Sequence, residues 1–180
     1  MILKKVVRMV AVCALGSVAL TSIAQAQRAE VRQGFWFSGG LGYGSLGCDG
    51  CGSREGGVSG GLSLGGTITP RLLIGVGTSG WTKSEQGGRL TVDEIDARVR
   101  FYPSRTGNFF VTGGIGYGEL RASVGGISAT DTGAGAIVGM GYDYRIARNM
   151  SITPYWNAYA MKSSDNDANV GQVGLAITLH

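Results

Sequence analysis

Histidine is almost missing from this chain: the only one among 180 residues is the last, His180. A hydrolase that relays protons through imidazole therefore lacks a well-placed base, and a histidine-built metal centre lacks ligands. Proline is scarce, at three residues, and no Pro-rich, Ser-rich or like-charge linker divides the sequence, so one domain is expected. An excess of one charge is also missing. Beyond Ala26 there are 13 basic and 12 acidic residues, which offers no electrostatic footprint for nucleic acid. Long apolar runs are absent after residue 27. The longest charge-free stretch there, Gln33 to Cys48, has 16 residues and six glycines, short of the roughly 18–20 that a spanning helix needs.

The amino terminus reads as a secretory leader. Lys4, Lys5 and Arg8 precede an apolar run from Met9 to Leu20, and Ala24-Gln25-Ala26 supplies a small-residue cleavage site. An uncleaved anchor is the alternative, but the Ala-x-Ala ending fits processing. Cleavage after Ala26 divides the chain into a signal peptide, 1–26, and a mature domain, 27–180.

What fills the mature part is a period of two. Eight runs, at 35–46, 58–68, 72–81, 94–102, 109–120, 132–146, 151–161 and 170–180, alternate apolar residues with Gly, Ser or Thr. Such alternation predicts strands. In the first, Phe35, Phe37, Leu41 and Tyr43 share one face, and Ser38, Gly40, Gly42 and Gly44 the other. A transmembrane strand needs only about 9–11 residues. An apolar face backed by small polar residues after a leader predicts a barrel whose outside meets lipid. A soluble ligand-binding barrel would reverse the faces, yet the non-apolar faces of runs one, two, three and eight carry no charge. In the fourth run Leu90 and Val92 are out of phase with Ile95, so a bulge is expected near Asp93.

The connections take sides. Thr69–Arg71, Pro103–Asn108 and Ala147–Asn149 are short turns on the side of the amino terminus. Gly47–Gly56, Thr82–Gly88, Ala122–Asp131 and Lys162–Ala168 are expected as longer loops at the other end. Phe35, Phe37, Phe101, Phe109, Tyr142 and Tyr144 fall near one rim and Tyr43 and Tyr117 near the other, as paired girdles would. Residues 35–46 and 109–120 match at seven of twelve positions with an offset of 74. That offset sets strands one and five opposite each other in an eight-stranded closure, through duplication of a half or shared lipid-facing chemistry.

The final run, Gln172-Val173-Gly174-Leu175-Ala176-Ile177-Thr178-Leu179, spaces Gln172, Gly174, Ile177 and Leu179 as in the carboxy-terminal insertion signal of outer-membrane barrels. From Gly34 to His180 the chain resembles the small eight-stranded outer-membrane barrels of the OmpA/OmpX type, departing from their commonest ending in having His180 where an aromatic such as Phe is usual. The resemblance implies an all-β, antiparallel, up-and-down transmembrane barrel in the cell outer membrane. It also implies contact with outer-membrane lipids and the barrel-insertion machinery. The roles it implies are structural or surface-interacting: envelope integrity, adhesion or resistance to host defence, with outer loops binding any surface ligand. A small pore or transport barrel is the alternative, and a lipid-modifying enzyme a more distant one. A monomer is expected, with no cofactor and no nucleic-acid partner.

An interior of eight strands is just wide enough for side chains to fill. Glu94, Asp96 and Asp143 balance Arg98, Arg100 and Arg145 there, predicting an ion-paired lumen network, with a narrow ion path as the alternative. Cys48 and Cys51 sit together in the first outer loop, where an oxidising compartment favours a disulfide. No helix follows to activate a thiol, and two cysteines with Asp49 make a poor zinc shell. Gly42-Tyr43-Gly44-Ser45-Leu46-Gly47 spells a dinucleotide fingerprint but lacks the βαβ context, and Glu94 with Asp96 beside two arginines suits ion pairing better than acid–base work. No catalytic residues are therefore expected.

Overall fold

The computed structural model describes residues 32–48, 52–85, 87–163 and 167–180. The signal peptide, 1–26, lies outside them. The alternating runs become nine strand segments: β1 (Phe35–Cys48), β2 (Glu55–Thr69), β3 (Leu72–Glu85), β4 (Gly88–Phe101), β5 (Phe109–Val124), β6 (Ile127–Tyr142), β7 (Tyr144–Ala147), β8 (Met150–Lys162) and β9 (Asp167–Leu179). Every neighbour is antiparallel. β1 pairs with both β2 and β9, which closes the sheet on itself. β6 and β7 share one partner, with Gly141 opposite Tyr155 and Tyr144 opposite Ile152. They are one stave interrupted at Asp143, so the barrel has eight staves and no sheet edge along its trunk.

Alternation dictates the two faces. Leu41 and Ile115, both 74 % exposed, stand with Leu62, Val76, Ile95, Val138 and Leu175 on the outside. Nearly every stave contributes to this apolar wall, far larger than a soluble monomer exposes, and hydrocarbon is its solvent. Phe35, Phe101, Phe109, Tyr142 and Tyr144 are exposed near one rim and Tyr43 and Tyr117 toward the other, while Phe37 is half-buried. Arginine at Val138, on this outer face, is expected to lower stability by about 2–4 kcal/mol near the bilayer midplane. Unfolding titrations in bilayers measure it; an unchanged titration would mean that Val138 does not face lipid.

Strands one and five do stand opposite each other, four staves apart in either direction. Their shared inward glycines have a packing role. A Cβ on Gly44 would lie 2.7 Å from Trp81 Cδ1, and one on Gly118 would lie 2.7 Å from Met161 Cβ. Both glycines make room for a large side chain projecting across the lumen.

Two expectations are corrected. There is no bulge at Asp93: the register runs unbroken from Leu72↔Phe101 to Glu85↔Gly88 on one side of β4 and from Phe101↔Val111 to Gly88↔Val124 on the other. Leu90 and Val92 simply point inward with Glu94, because the lumen at that height is apolar. Register shifts occur instead between Thr67 and Thr69 and between Arg145 and Ala147. The outer loops are also shorter than expected, because their residues continue the ladders. β3 and β4 pair as far as Glu85↔Gly88, and β5 and β6 as far as Val124↔Ile127. Gly125 and Gly126 turn the latter hairpin with φ of 59° and 87°, the left-handed pair that a two-residue turn matched to strand twist requires. β6 meets β8 only from Ala134↔Lys162 inward, so the far ends of β3–β6 rise past the trunk as a projecting sheet.

Candidate functional site

The lumen is layered. At the end bearing the described termini, Trp36, Leu73, Tyr102 and Phe110 form an apolar stopper. Toward the opposite end Leu46, Trp81, Val92, Ile137, Tyr159, Met161, Ala168 and Val170 form a second. Trp81 spans inward and donates its indole N–H to the carbonyl of Gly44 at 3.0 Å. Between the stoppers lie Ser38, Ser79, Arg98, Thr112, Asn157 and Gln172 around a cavity of only about 40 Å³, room for very few waters.

Strand alternation delivers five of the six predicted lumen charges to buried inward positions: Glu94, Asp96, Arg98, Arg100 and Asp143. Arg145 is half-buried at the rim. Among the described residues the buried charges on β4 take different partners. Arg98 is bidentate to Asp96, with Nε donating to Oδ1 at 2.9 Å and Nη2 to Oδ2, and it also donates to Ser79 Oγ at 3.2 Å. Both are on β4 two residues apart, so the pair is local. Arg100 lies instead over the rings of Phe110 and Trp36, at 4.2 and 4.7 Å, a cation–π arrangement that an apolar stopper permits. Glu94 has no hydrogen-bond partner on either carboxylate oxygen among the described residues.

Asp143 is held by hydroxyl hydrogen bonds beside His180, with Arg100 and Arg32 near enough to act on its charge. It accepts from the Tyr102 hydroxyl and from Thr153 Oγ1, each at 2.7 Å, and lies 3.4 Å from His180 Nε2. Thr153 continues to Thr178 at 2.8 Å, and Thr178 to Ser38 at 2.9 Å. The terminal histidine thus has a buried place, edge-on to Tyr102. Nothing in its sequence neighbourhood signals this, because β4, β6 and β9 meet here only through barrel closure. His180 Nδ1 has no hydrogen-bond partner among the described residues, so no serine hydroxyl completes a triad on it.

At the opposite end Lys83 Nζ is 2.6 Å from both Glu55 Oε2 and Glu85 Oε2. The two carboxylates, Glu55 first, hold the Lys83 ammonium above the usual lysine range, and Lys83 in turn lowers Glu85. Arg54 donates to Ser45 O at 2.5 Å and to Asn169 Oδ1 at 2.7 Å, tying the first outer connection to β1 and β9. Cys48 is disulfide-bonded; Cys51 lies outside the described residues. Of the predicted insertion-signal residues, Gln172 points into the lumen, while Ile177 and Leu179 face outward from the closing strand.

Residues 11–180 match the family described as outer membrane protein beta-barrel domain. No curated protein matches. Among solved structures, the attachment invasion locus protein Ail of Yersinia pestis is similar at 14 % identity and a TM-score of 0.61, covering 82 % of this chain and 100 % of that one. Neisserial surface protein A is similar at 15 % identity and 0.62, covering 81 % and 96 %. The outer membrane protein OprG of Pseudomonas aeruginosa reaches 0.50 at 10 % identity, covering 84 % and 99 %. With its closed eight-stave trunk, its apolar outer wall and a family match spanning nearly its whole length, the chain belongs to the outer-membrane β-barrel family and resides in the outer membrane, embedded in its lipid.

Proposed function

We propose that this protein is a stoppered barrel with a structural or surface-interacting role, acting through its outer hairpins and not through its lumen. The observation that carries this reading is the pair of apolar clusters closing the interior at both ends. A hydrated solute would have to displace Trp36 and Phe110 at one end and Trp81 and Tyr159 at the other, all within 2 % of complete burial. The rise of β3–β6 past the trunk supplies a surface in place of a channel, with Val124 and Ile127 exposed at its tip. The end bearing Arg32 and His180 faces the periplasm in this reading. Asp96 and Arg98 act as a lumen brace, Cys48 and Cys51 close the first outer loop, and the Gln172–Leu179 strand engages the insertion machinery of a monomer. The role is non-catalytic, in keeping with the seating of His180 inside the Tyr102–Asp143 cluster.

Planar-bilayer recording tests the reading against the pore alternative. The native barrel is expected to give no discrete openings, whereas removing two of the three rings of the stopper at the Arg32 end, by Trp36→Ala with Phe110→Ala, together with Trp81→Ala at the other end, raises leak. Stable ohmic steps from the native protein would overturn it.

A further inference from the structure

We propose that the chamber between the two stoppers holds one chloride ion, with Arg100 as its anchor. Arg100 is 5 % exposed and belongs to the lining of the 40 Å³ cavity. Its Nε and Nη1 are buried and have no hydrogen-bond partner among the described residues. The rings of Phe110 and Trp36, at 4.2 and 4.7 Å, stabilise the guanidinium from its faces, but they leave its charge uncancelled and its in-plane N–H groups without acceptors. A buried cation in that state is costly until an anion accepts from it.

No carboxylate is placed to do so. The charged members of the cavity lining are Arg98 and Arg100, with neither Asp nor Glu among them. Arg98 has taken both oxygens of Asp96. Glu94 has two unpartnered oxygens, but it lies six residues away along the same strand, roughly 20 Å at the rise of a strand. Asp143 acts on Arg100 from outside the lining, and it acts on Arg32 as well, while its oxygens accept from Tyr102 and Thr153.

The rest of the lining supplies donors. Tyr155 brings a buried hydroxyl with no partner among the described residues, and Asn157 and Gln172 bring side-chain amides. Size picks the ion. A cavity of 40 Å³ is a few times the roughly 10–15 Å³ that one water requires, which admits chloride with a water beside it and excludes an organic anion. That water can donate to Gln172 Oε1, which is also unpartnered. Because apolar clusters close both ends, the ion is captured as the barrel folds and its role is structural, whatever the outer hairpins bind.

The test refolds the mature protein in sodium bromide and crystallises it from detergent, with anomalous diffraction recorded at the bromine edge. One peak inside the chamber, beside Arg100, is expected. In parallel, the barrel in phosphatidylcholine vesicles is unfolded with urea at constant ionic strength while chloride replaces gluconate. The unfolding constant is expected to fall about tenfold once chloride reaches ten times its dissociation constant, as linkage requires. Arg100→Met keeps an apolar chain over the rings and is expected to abolish that dependence, whereas Arg71→Gln, which removes a charge from an exposed turn, is expected to retain it. An unfolding constant that ignores chloride in the native protein overturns the proposal, as does a response of equal size in Arg100→Met. A chamber without a bromide peak, or peaks confined to exposed cations, overturns it on the native protein alone, even if Arg100→Met fails to fold.

Discussion

Asp143→Ala is expected to destabilise the barrel by about 3–5 kcal/mol, the usual cost of deleting one member of a buried charged cluster. The truncation strands the Tyr102 hydroxyl and Thr153 Oγ1, both now donating to Asp143 at 2.7 Å, and leaves Arg100 and Arg32 with less compensating charge. Asp143→Asn keeps an acceptor without the charge and is expected to recover part of the loss. Denaturant titrations in bilayers, read by heat-modifiable migration, measure both. A change within about 0.5 kcal/mol, ordinary for a surface position, would show that the site is wet and Asp143 dispensable.

Trp81→Ala is expected to cost a comparable amount, about 3–5 kcal/mol, since it empties the largest piece of the upper stopper and the surroundings cannot collapse through a closed wall. Its partner position gives a sharper test. Gly44→Ala drives a methyl to 2.7 Å from Trp81 Cδ1 and should cost about 1–3 kcal/mol as overpacking. In the Trp81→Ala background that penalty should shrink, so the two changes are non-additive by 0.5 kcal/mol or more. Strict additivity in the double-mutant cycle would mean that Trp81 does not lie over Gly44.

The strands, their faces and the opposition of β1 and β5 were legible because a period of two determines which side each residue takes. Register was less legible. Leu90 and Val92 looked out of phase because lumen residues were expected to be polar throughout. The lumen is in fact apolar at both ends, so hydrophobicity alone does not mark the outside. The outer connections looked like loops because Thr, Ser, Lys and Glu favour solvent, yet above the membrane a strand has water on both faces and keeps its ladder without apolar residues. Charge identity was readable and charge partners were not. Arg98 and Asp96 meet on one strand, as spacing allows, but Asp143, Tyr102 and His180 come together from three separate staves, and Arg100 finds rings where a carboxylate was expected. The leader and the Cys51 half of the loop pair fall outside the described residues.

The seam between β1 and β9 bears on the order of assembly. Ser38 and Thr178, hydrogen-bonded across it, are separated by 140 positions in the chain, and the seam runs from Phe37↔Leu179 to Cys48↔Ala168. Every other stave contact joins strands that follow one another along the chain, whereas this one joins the first strand to the last. Loop-closure entropy rises slowly with length, but a pairing so distant delays the commitment to the native state. Until the seam shuts, β1 and β9 expose unpaired backbone that hydrocarbon cannot satisfy. Insertion and closure are therefore coupled events, and the zipping of the first strand onto the last is the step at which the chain becomes a membrane protein.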